Sequence, residues 1–192
     1  MLKNITDKYQ VILASNSPRR KELLREIIPS FKVATKDVEE NYPNYLQGGE
    51  IATYLSQLKS QPFEPNETEL IITADTIVIL DGLVLGKPTS HDDAVQTLTL
   101  LSGKTHEVIT GVTIRTKDKA ISFYDSTKVE FYELSKDEIE FYVVNNKPFD
   151  KAGSYGIQEW IGYIGIKKMD GDFYNVMGLP VHKIYRKLKK FN

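Results

Sequence analysis

The sequence predicts an α/β protein built on a mixed, partly antiparallel sheet. Three observations lead there. Through the first hundred residues, apolar runs rich in β-branched side chains alternate with stretches of helical period. Asp81-Gly82, the dipeptide of a tight hairpin turn, lies between two apolar runs, so one strand pair is antiparallel. Farther on, Glu107 to Leu134 holds two long strand-like stretches around the polar break Lys117-Asp118-Lys119.

Val11-Ile12-Leu13-Ala14 fits a buried strand. Ser15, Asn16, Ser17 and Pro18 break the period, and a helix starts. Ser17 is a good N-cap, Pro18 suits a first turn that needs no intrahelical N–H, and Lys21 to Glu26 continues the helix. Strand, hydroxyl loop and helix N-terminus meet where loop N–H groups and the helix dipole favour an anion. Arg19 and Arg20 oppose that dipole, a conflict that an anion between them would relieve; a solvated basic helix start explains them as well. Pro29 ends the helix near Ile27-Ile28. Phe31 to Ala34 reads as a short strand, Asp37 to Asn41 as an acidic turn, and Gly48 to Lys59 as a helix whose apolar face is Ile51, Tyr54, Leu55 and Leu58. Lys59 in the last turn complements the dipole. Gln61 to Glu67 is a loop.

Leu70 to Leu80 is the strongest strand candidate. Asp75 in its middle is unusual, because a buried unpaired charge is costly; it is either a functional carboxylate or a structural one, paired with an arginine or lying on a solvent face. After the Asp81-Gly82 turn, Leu83-Val84-Leu85 returns, and Gly86-Lys87-Pro88 follows, bringing Lys87 back toward Asp75. Ser90 to Asp93 is a helix-capping pattern, with Ala94, Leu98 and Leu101 behind it. Ser135 to Glu138 is a second, opening a helix with Ile139, Phe141, Tyr142 and Val143 that Pro148 closes. Between them, Ser122, Tyr124, Ser126, Lys128 and Glu130 share one strand face and Phe123, Asp125, Thr127, Val129 and Phe131 the other, an imperfect alternation. In Lys151 to Gln158, two glycines bracket Tyr155, which suggests a tight backbone path, and Gln158 offers both donor and acceptor to a nucleobase edge; a plain structural turn reads as well. Pro180 starts a C-terminal helix with an apolar stripe of Val181, Ile184, Tyr185, Leu188 and Phe191 and a basic opposite face.

Composition narrows the function. The 192 residues are enough for one domain or two small lobes, 41% hydrophobic and 27% charged as in a globular protein. A net charge of −1 gives no bulk pull toward DNA or an anionic membrane. The lack of cysteine excludes disulfides, thiolate zinc sites and cysteine nucleophiles, and permits a cytoplasmic location. Met1 to Thr6 lacks the apolar region of a signal peptide, and no apolar run approaches the roughly 20 residues of a membrane span. His91, His106 and His182 have no metal-ligand spacing. Gly103-Lys104-Thr105 imitates a phosphate loop, but Leu98 stands where a glycine is required.

Taken together, the motifs resemble those of the Maf family of nucleoside triphosphate pyrophosphatases. Ser15-Asn16-Ser17-Pro18-Arg19-Arg20 is similar to its first signature. Ala74-Asp75-Thr76 with Leu85-Gly86-Lys87-Pro88 is similar to the second. Ala152 to Gln158 and Asn175 to Pro180 match later motifs, in the family order and over nearly the whole chain. The resemblance implies one Maf-like, inosine triphosphatase-like domain over residues 1–192, elongated, with two lobes around a central cleft. It implies hydrolysis of a triphosphate between its α and β phosphates. Glu40 matches the family's acidic residue and Lys59 the lysine that a helix delivers to the cleft. By the same resemblance Ser15, Ser17, Arg19 and Arg20 bind substrate, Lys59 and Lys87 hold phosphates, and Glu40 and Asp75 bind Mg²⁺ or Mn²⁺, with Asp75 as general base. Thr76, Arg19 and Gln158 resemble the branch acting on dTTP and UTP rather than on 7-methyl-GTP, and modified pyrimidine nucleotides would extend that range. Such an enzyme would clean the nucleotide pool; a homodimer is compatible with it. Two departures stand out: Ser56 and Ser60 where alanine is expected, and Glu159-Trp160 where a glycine is common. Trp160 suits the core better than stacking on a base.

A rival reading is a cell-division regulator or nucleic-acid-binding protein, a role suggested by the family's name. Its support is the basic face formed by Lys183, Arg186, Lys187, Lys189 and Lys190, and the near-neutral chain speaks against strong nonspecific DNA binding.

Overall fold

The structure, a computed structural model, describes residues 2–191. Its elements follow in the order α1 (Lys3–Thr6), β1 (Gln10–Leu13), α2 (Pro18–Ile27), β2 (Lys32–Val33), α3 (Gly49–Ser60), β3 (Glu69–Leu80), β4 (Leu83–Leu85), α4 (His91–Leu101), β5 (Thr105–Arg115), β6 (Ala120–Phe131), α5 (Lys136–Asn146), a 3₁₀ turn (Ala152–Ser154), α6 (Trp160–Gly165), β7 (Ile166–Asp170), α7 (Phe173–Met177) and α8 (Val181–Lys189). Strand order is β2-β1-β3-β5-β6-β7, with β4 paired to β3. β1 is parallel to β2 and to β3, whereas β4 is antiparallel to β3 and β7 to β6, so the sheet is mixed as expected. The chain divides into two compact units. One comprises the chain up to Asp75, Thr110–Asp125 and the residues from Gly178 on; the other comprises Thr76–Ile109 and Ser126–Met177. No helix among the described residues is long and apolar enough to cross a membrane.

In the first unit, α3 lies hard against β5. A Cβ on Gly111 would come within 2.0 Å of the Ala52 carbonyl oxygen, so only glycine permits that approach. Ser56, fully buried on α3, donates to or accepts from Thr113 Oγ1 at 2.8 Å, and its carbonyl accepts from Thr73 Oγ1 at 2.6 Å. The Ser56 hydroxyl knits α3 to β5, which explains that departure from alanine. The Ser60 hydroxyl only donates back to the Gln57 carbonyl of its own helix at 2.7 Å, while the Ser60 carbonyl accepts from Arg115 Nη1 at 3.1 Å. α8 packs on α1 and α2 through Ile184 and Leu188, both fully buried. Its basic face is partly committed to packing and ion pairing. Lys183 Nζ is 2.7 Å from Asp125 Oδ1, and the Lys187 ammonium sits over the Phe123 ring at 5.6 Å. Asp125, a polar residue on the buried face of β6, is thereby explained.

The second unit has a core of Val78, Leu80, Leu98, Leu101, Val129, Phe131, Ile139, Tyr142 and their neighbours, with α4 packed on α5. The β3–β4 hairpin pairs Val78 with Leu85 and Leu80 with Leu83 across the Asp81-Gly82 turn. Both predicted caps form: Ser90 accepts from the Asp93 N–H, and Ser135 with Glu138 makes a reciprocal capping box. Thr127, inward on β6, accepts from the Asp172 N–H at 3.0 Å and from Asn175 Nδ2 at 2.9 Å, which accounts for the broken alternation. Four short elements, α1, α6, β7 and α7, have no counterpart in the sequence pattern, and β6 ends at Phe131 rather than Leu134. These four elements are four to six residues long, too short for periodicity to register, and α6 holds Gly162 within it and ends at Gly165.

Candidate active site

β1 ends beside β3. Leu13 pairs with Ile72, and the Ala14 N–H donates to the Ile72 carbonyl at 2.8 Å. β3 continues beyond that point, and the Ala74 carbonyl accepts from Arg20 Nη1 at 2.8 Å. Arg20 Nε donates to the Gly178 carbonyl, also at 2.8 Å. One guanidinium therefore ties three motifs together: its own loop, the Ala74-Asp75 stretch and the Gly178 turn. Desolvation pulls the Arg20 guanidinium below its ordinary range; Asp75 pulls it back up, Arg19 lowers it further, and Glu40 raises it. The loop before it is organised by its own hydroxyls. Ser15 Oγ accepts from the Ser17 N–H at 3.2 Å, and Ser17, the N-cap of α2, accepts from the Arg20 N–H at 3.4 Å, with Pro18 at the first position. Arg19 is half-buried in the same turn.

Asp75 is buried, its side chain 8% exposed, and Lys59 Nζ from the last turn of α3 bonds its Oδ1. The same ammonium stands 3.0 Å from Oε1 of Glu40, whose side chain is 44% exposed. Two carboxylates thus converge on one cation. Their oxygen donors, already gathered around a positive charge, fit a hard divalent ion that would draw its remaining ligands from phosphate and water.

The other predicted site residues belong to the second unit. Thr76 follows Asp75 on β3, so the two side chains leave opposite faces of the strand. Lys87 is exposed, two residues after β4. The Gly86 carbonyl before it accepts from the Gly153 N–H at 3.1 Å, which joins the Lys87 turn to the Ala152–Gln158 motif. Gly153 has φ +69°, and a Cβ there would come within 2.8 Å of Val78 Cγ2. Gln158 is half-buried, and its amide oxygen is buried with no hydrogen-bond partner among the described residues. Trp160 packs against the core with its ring 4.8 Å from that of Phe141, in line with a core role.

Nothing in the sequence assigns a site role to His106, Tyr142, Lys151 or Glu159. His106 Nε2 is 2.7 Å from the Tyr155 hydroxyl, and both rings pack edge-on with Phe131. Burial pushes the His106 imidazole down to about 4. A polar residue two places before an apolar strand run was the only sign of it, and that pattern carries little.

A family model described as Maf-like protein matches residues 10–191. The chain belongs to the Maf family. Among its Maf relatives, a protein of Bacteroides thetaiotaomicron named dTTP/UTP pyrophosphatase is 53% identical, covering 99% of this chain and 100% of the relative. Proteins of the same name from Cytophaga hutchinsonii and Porphyromonas gingivalis are 53% and 47% identical, covering 99% and 100% of this chain and 88% and 98% of theirs. Among solved structures, the Ham1 proteins of Staphylococcus aureus and Coxiella burnetii share the fold, with TM-scores of 0.55 and 0.52 at 16% and 12% identity, each over 95% of this Maf chain and 99% of theirs.

The buried histidine gives this Maf protein a defined acid sensitivity. Unfolded, His106 titrates near 6.5; folded, it stays neutral down to about 4. Its contribution is therefore complete above about pH 6.5 and is lost as pH falls toward 4, to the order of 3 kcal/mol. Melting temperature measured from pH 7 to 4.5 should fall more steeply for the wild type than for His106→Gln. Parallel curves would contradict the assignment.

Proposed function

We propose that this Maf protein is a metal-dependent nucleoside triphosphate pyrophosphatase that hydrolyses dTTP and UTP to the monophosphate and pyrophosphate. The observation that carries the reading is the Glu40–Lys59–Asp75 chain next to the Arg20-braced loop. It gains weight from relatives of that name, about half identical over the full length.

Glu40 and Asp75 would hold Mg²⁺ or Mn²⁺, which when bound neutralises phosphate charge and polarises the bond to be broken. Asp75, paired with the Lys59 ammonium, accepts a proton from the attacking water. Lys59, Lys87 and Arg19 offer positive charge to phosphate oxygens and to the pyrophosphate as it leaves. Arg20 adds charge while it braces the loop. Ser15 and Ser17 shape the backbone that would cradle a phosphate at the start of α2. The orphaned oxygen of Gln158 calls for a donor. Uracil and thymine present N3–H there, whereas cytosine presents an acceptor, so the mismatched base leaves that oxygen unsatisfied. Pyrimidines modified at C5 keep N3–H and belong to the same class, consistent with a cytoplasmic role in clearing aberrant nucleotides. Thr76, facing away from Asp75, is the weaker candidate for base reading.

Pyrophosphate release across a nucleotide panel tests the reading. With Mg²⁺ or Mn²⁺, kcat/KM for dTTP and UTP should exceed that for CTP, ATP and GTP by roughly tenfold or more, the size of one unmet buried hydrogen bond. A preference for 7-methyl-GTP, or none at all, would refute the substrate. Asp75→Asn should lower turnover about 100-fold or more while remaining folded. Near-normal turnover in that folded variant would remove Asp75 from the chemistry.

A further inference from the structure

The segment after the third motif is held with more care than a turn needs. Glu159, where the family commonly has glycine, follows Gln158 directly, and both of its carboxylate oxygens are engaged. Oε1 is 3.1 Å from Lys151 Nζ, and Oε2 accepts from the Tyr142 hydroxyl. Lys151, buried at 7% exposure, also contacts Asp150 Oδ1 at 2.7 Å. Tyr142, fully buried on α5, accepts from the Gly156 N–H at 3.0 Å through the same hydroxyl. Gly156 leaves room for this arrangement, since a Cβ there would lie 2.7 Å from Glu159 Cδ. The Gly156 carbonyl in turn accepts from the Glu159 N–H at 3.0 Å, closing a turn around Ile157 and Gln158.

The Gln158 amide is thereby flanked on both sides by anchored groups: the Gly156 N–H on Tyr142 before it, and the Glu159 carboxylate on Tyr142 and Lys151 after it. A largely buried ion pair adds little net stability compared with apolar packing, but it fixes direction. Burial, and then the Glu159 carboxylate, push the Tyr142 phenol above its ordinary range, so it remains a donor.

We propose that Tyr142, Glu159 and Lys151 form a clamp that sets the orientation of the Gln158 amide, acting as positioning residues for base selectivity. The inference rests on Gln158 reading the base. Without the clamp the segment would still close, but the amide oxygen would sample several directions and lose its discrimination between an N3–H and an N3 acceptor. Catalysis at the phosphates, which uses other residues, would be largely spared.

The test is a kinetic cycle with Gln158→Ala, Tyr142→Phe and the double variant, reading the ratio of kcat/KM for UTP to that for CTP. Tyr142→Phe should lower the ratio about 5- to 10-fold, with kcat on UTP within about twofold, and should lower it no further in the Gln158→Ala background. Glu159→Gln, which keeps the side-chain size but cannot accept from Tyr142 and pair with Lys151 at once, should do the same. It stands in if Tyr142→Phe fails to fold by thermal denaturation. A ratio unchanged in a folded clamp variant while Gln158→Ala collapses it overturns the clamp and leaves the base-reading role intact. Losses that simply add in the double variant also overturn it. A ratio unaffected by Gln158→Ala overturns the base-reading role itself, and the clamp with it.

Discussion

A carboxylate in the middle of an apolar strand needs a counter-charge, and Lys59 supplies it. The Asp75 side chain is nearly buried within the Leu70 to Leu80 run, where an unpaired charge would cost several kcal/mol. The ammonium meets it from the end of α3, so the seat of that helix decides the site. Gly111 allows α3 to lie against β5, and the Ser56 hydroxyl and carbonyl pin it in register with Thr113 and Thr73. Glu40 then joins the same cation from an exposed loop. Packing in the first unit thus converts a long flexible lysine into a fixed positive charge between two acids.

Arg20 is the second constraint. Cations in the first turn of a helix oppose its dipole. Arg20 directs its guanidinium instead to the Ala74 and Gly178 carbonyls, which carry partial negative charge. Its planar fork spans two acceptors at once, a task that a lysine ammonium performs less specifically. The conflict read from the sequence is therefore met at Arg20 by backbone oxygens.

Much of this was legible beforehand. The long β3 strand, the Asp81-Gly82 hairpin, both capping patterns and the C-terminal amphipathic helix follow from period and turn chemistry, and the structure has all of them. Burial cost marked Asp75 as a carboxylate in need of a role or a counter-charge, with an arginine as the structural partner; the partner is Lys59, which the sequence does not reveal because sixteen residues and a change of element separate it from Asp75. The clamp around Gln158 was illegible. Lys151 and Tyr142 look like ordinary residues in sequence and Glu159 shows only as a departure from glycine, and only the turn at Gly156 brings their polar ends together. Likewise, Asp125 and Thr127 blurred the alternation of β6 because each polar group serves a partner that is distant in sequence.

The proposed chemistry depends on the convergence of Glu40 and Asp75 on a single cation position. Electron paramagnetic resonance titration of Mn²⁺ in the presence of α,β-methylene-UTP measures it directly. One Mn²⁺ should bind per chain in the wild type, and its affinity should drop roughly tenfold or more in both Glu40→Gln and Asp75→Asn, because each supplies one of the hard oxygen ligands. Equal Mn²⁺ affinity in the wild type and the two variants would contradict a shared metal position and leave the carboxylates as a purely structural ion pair.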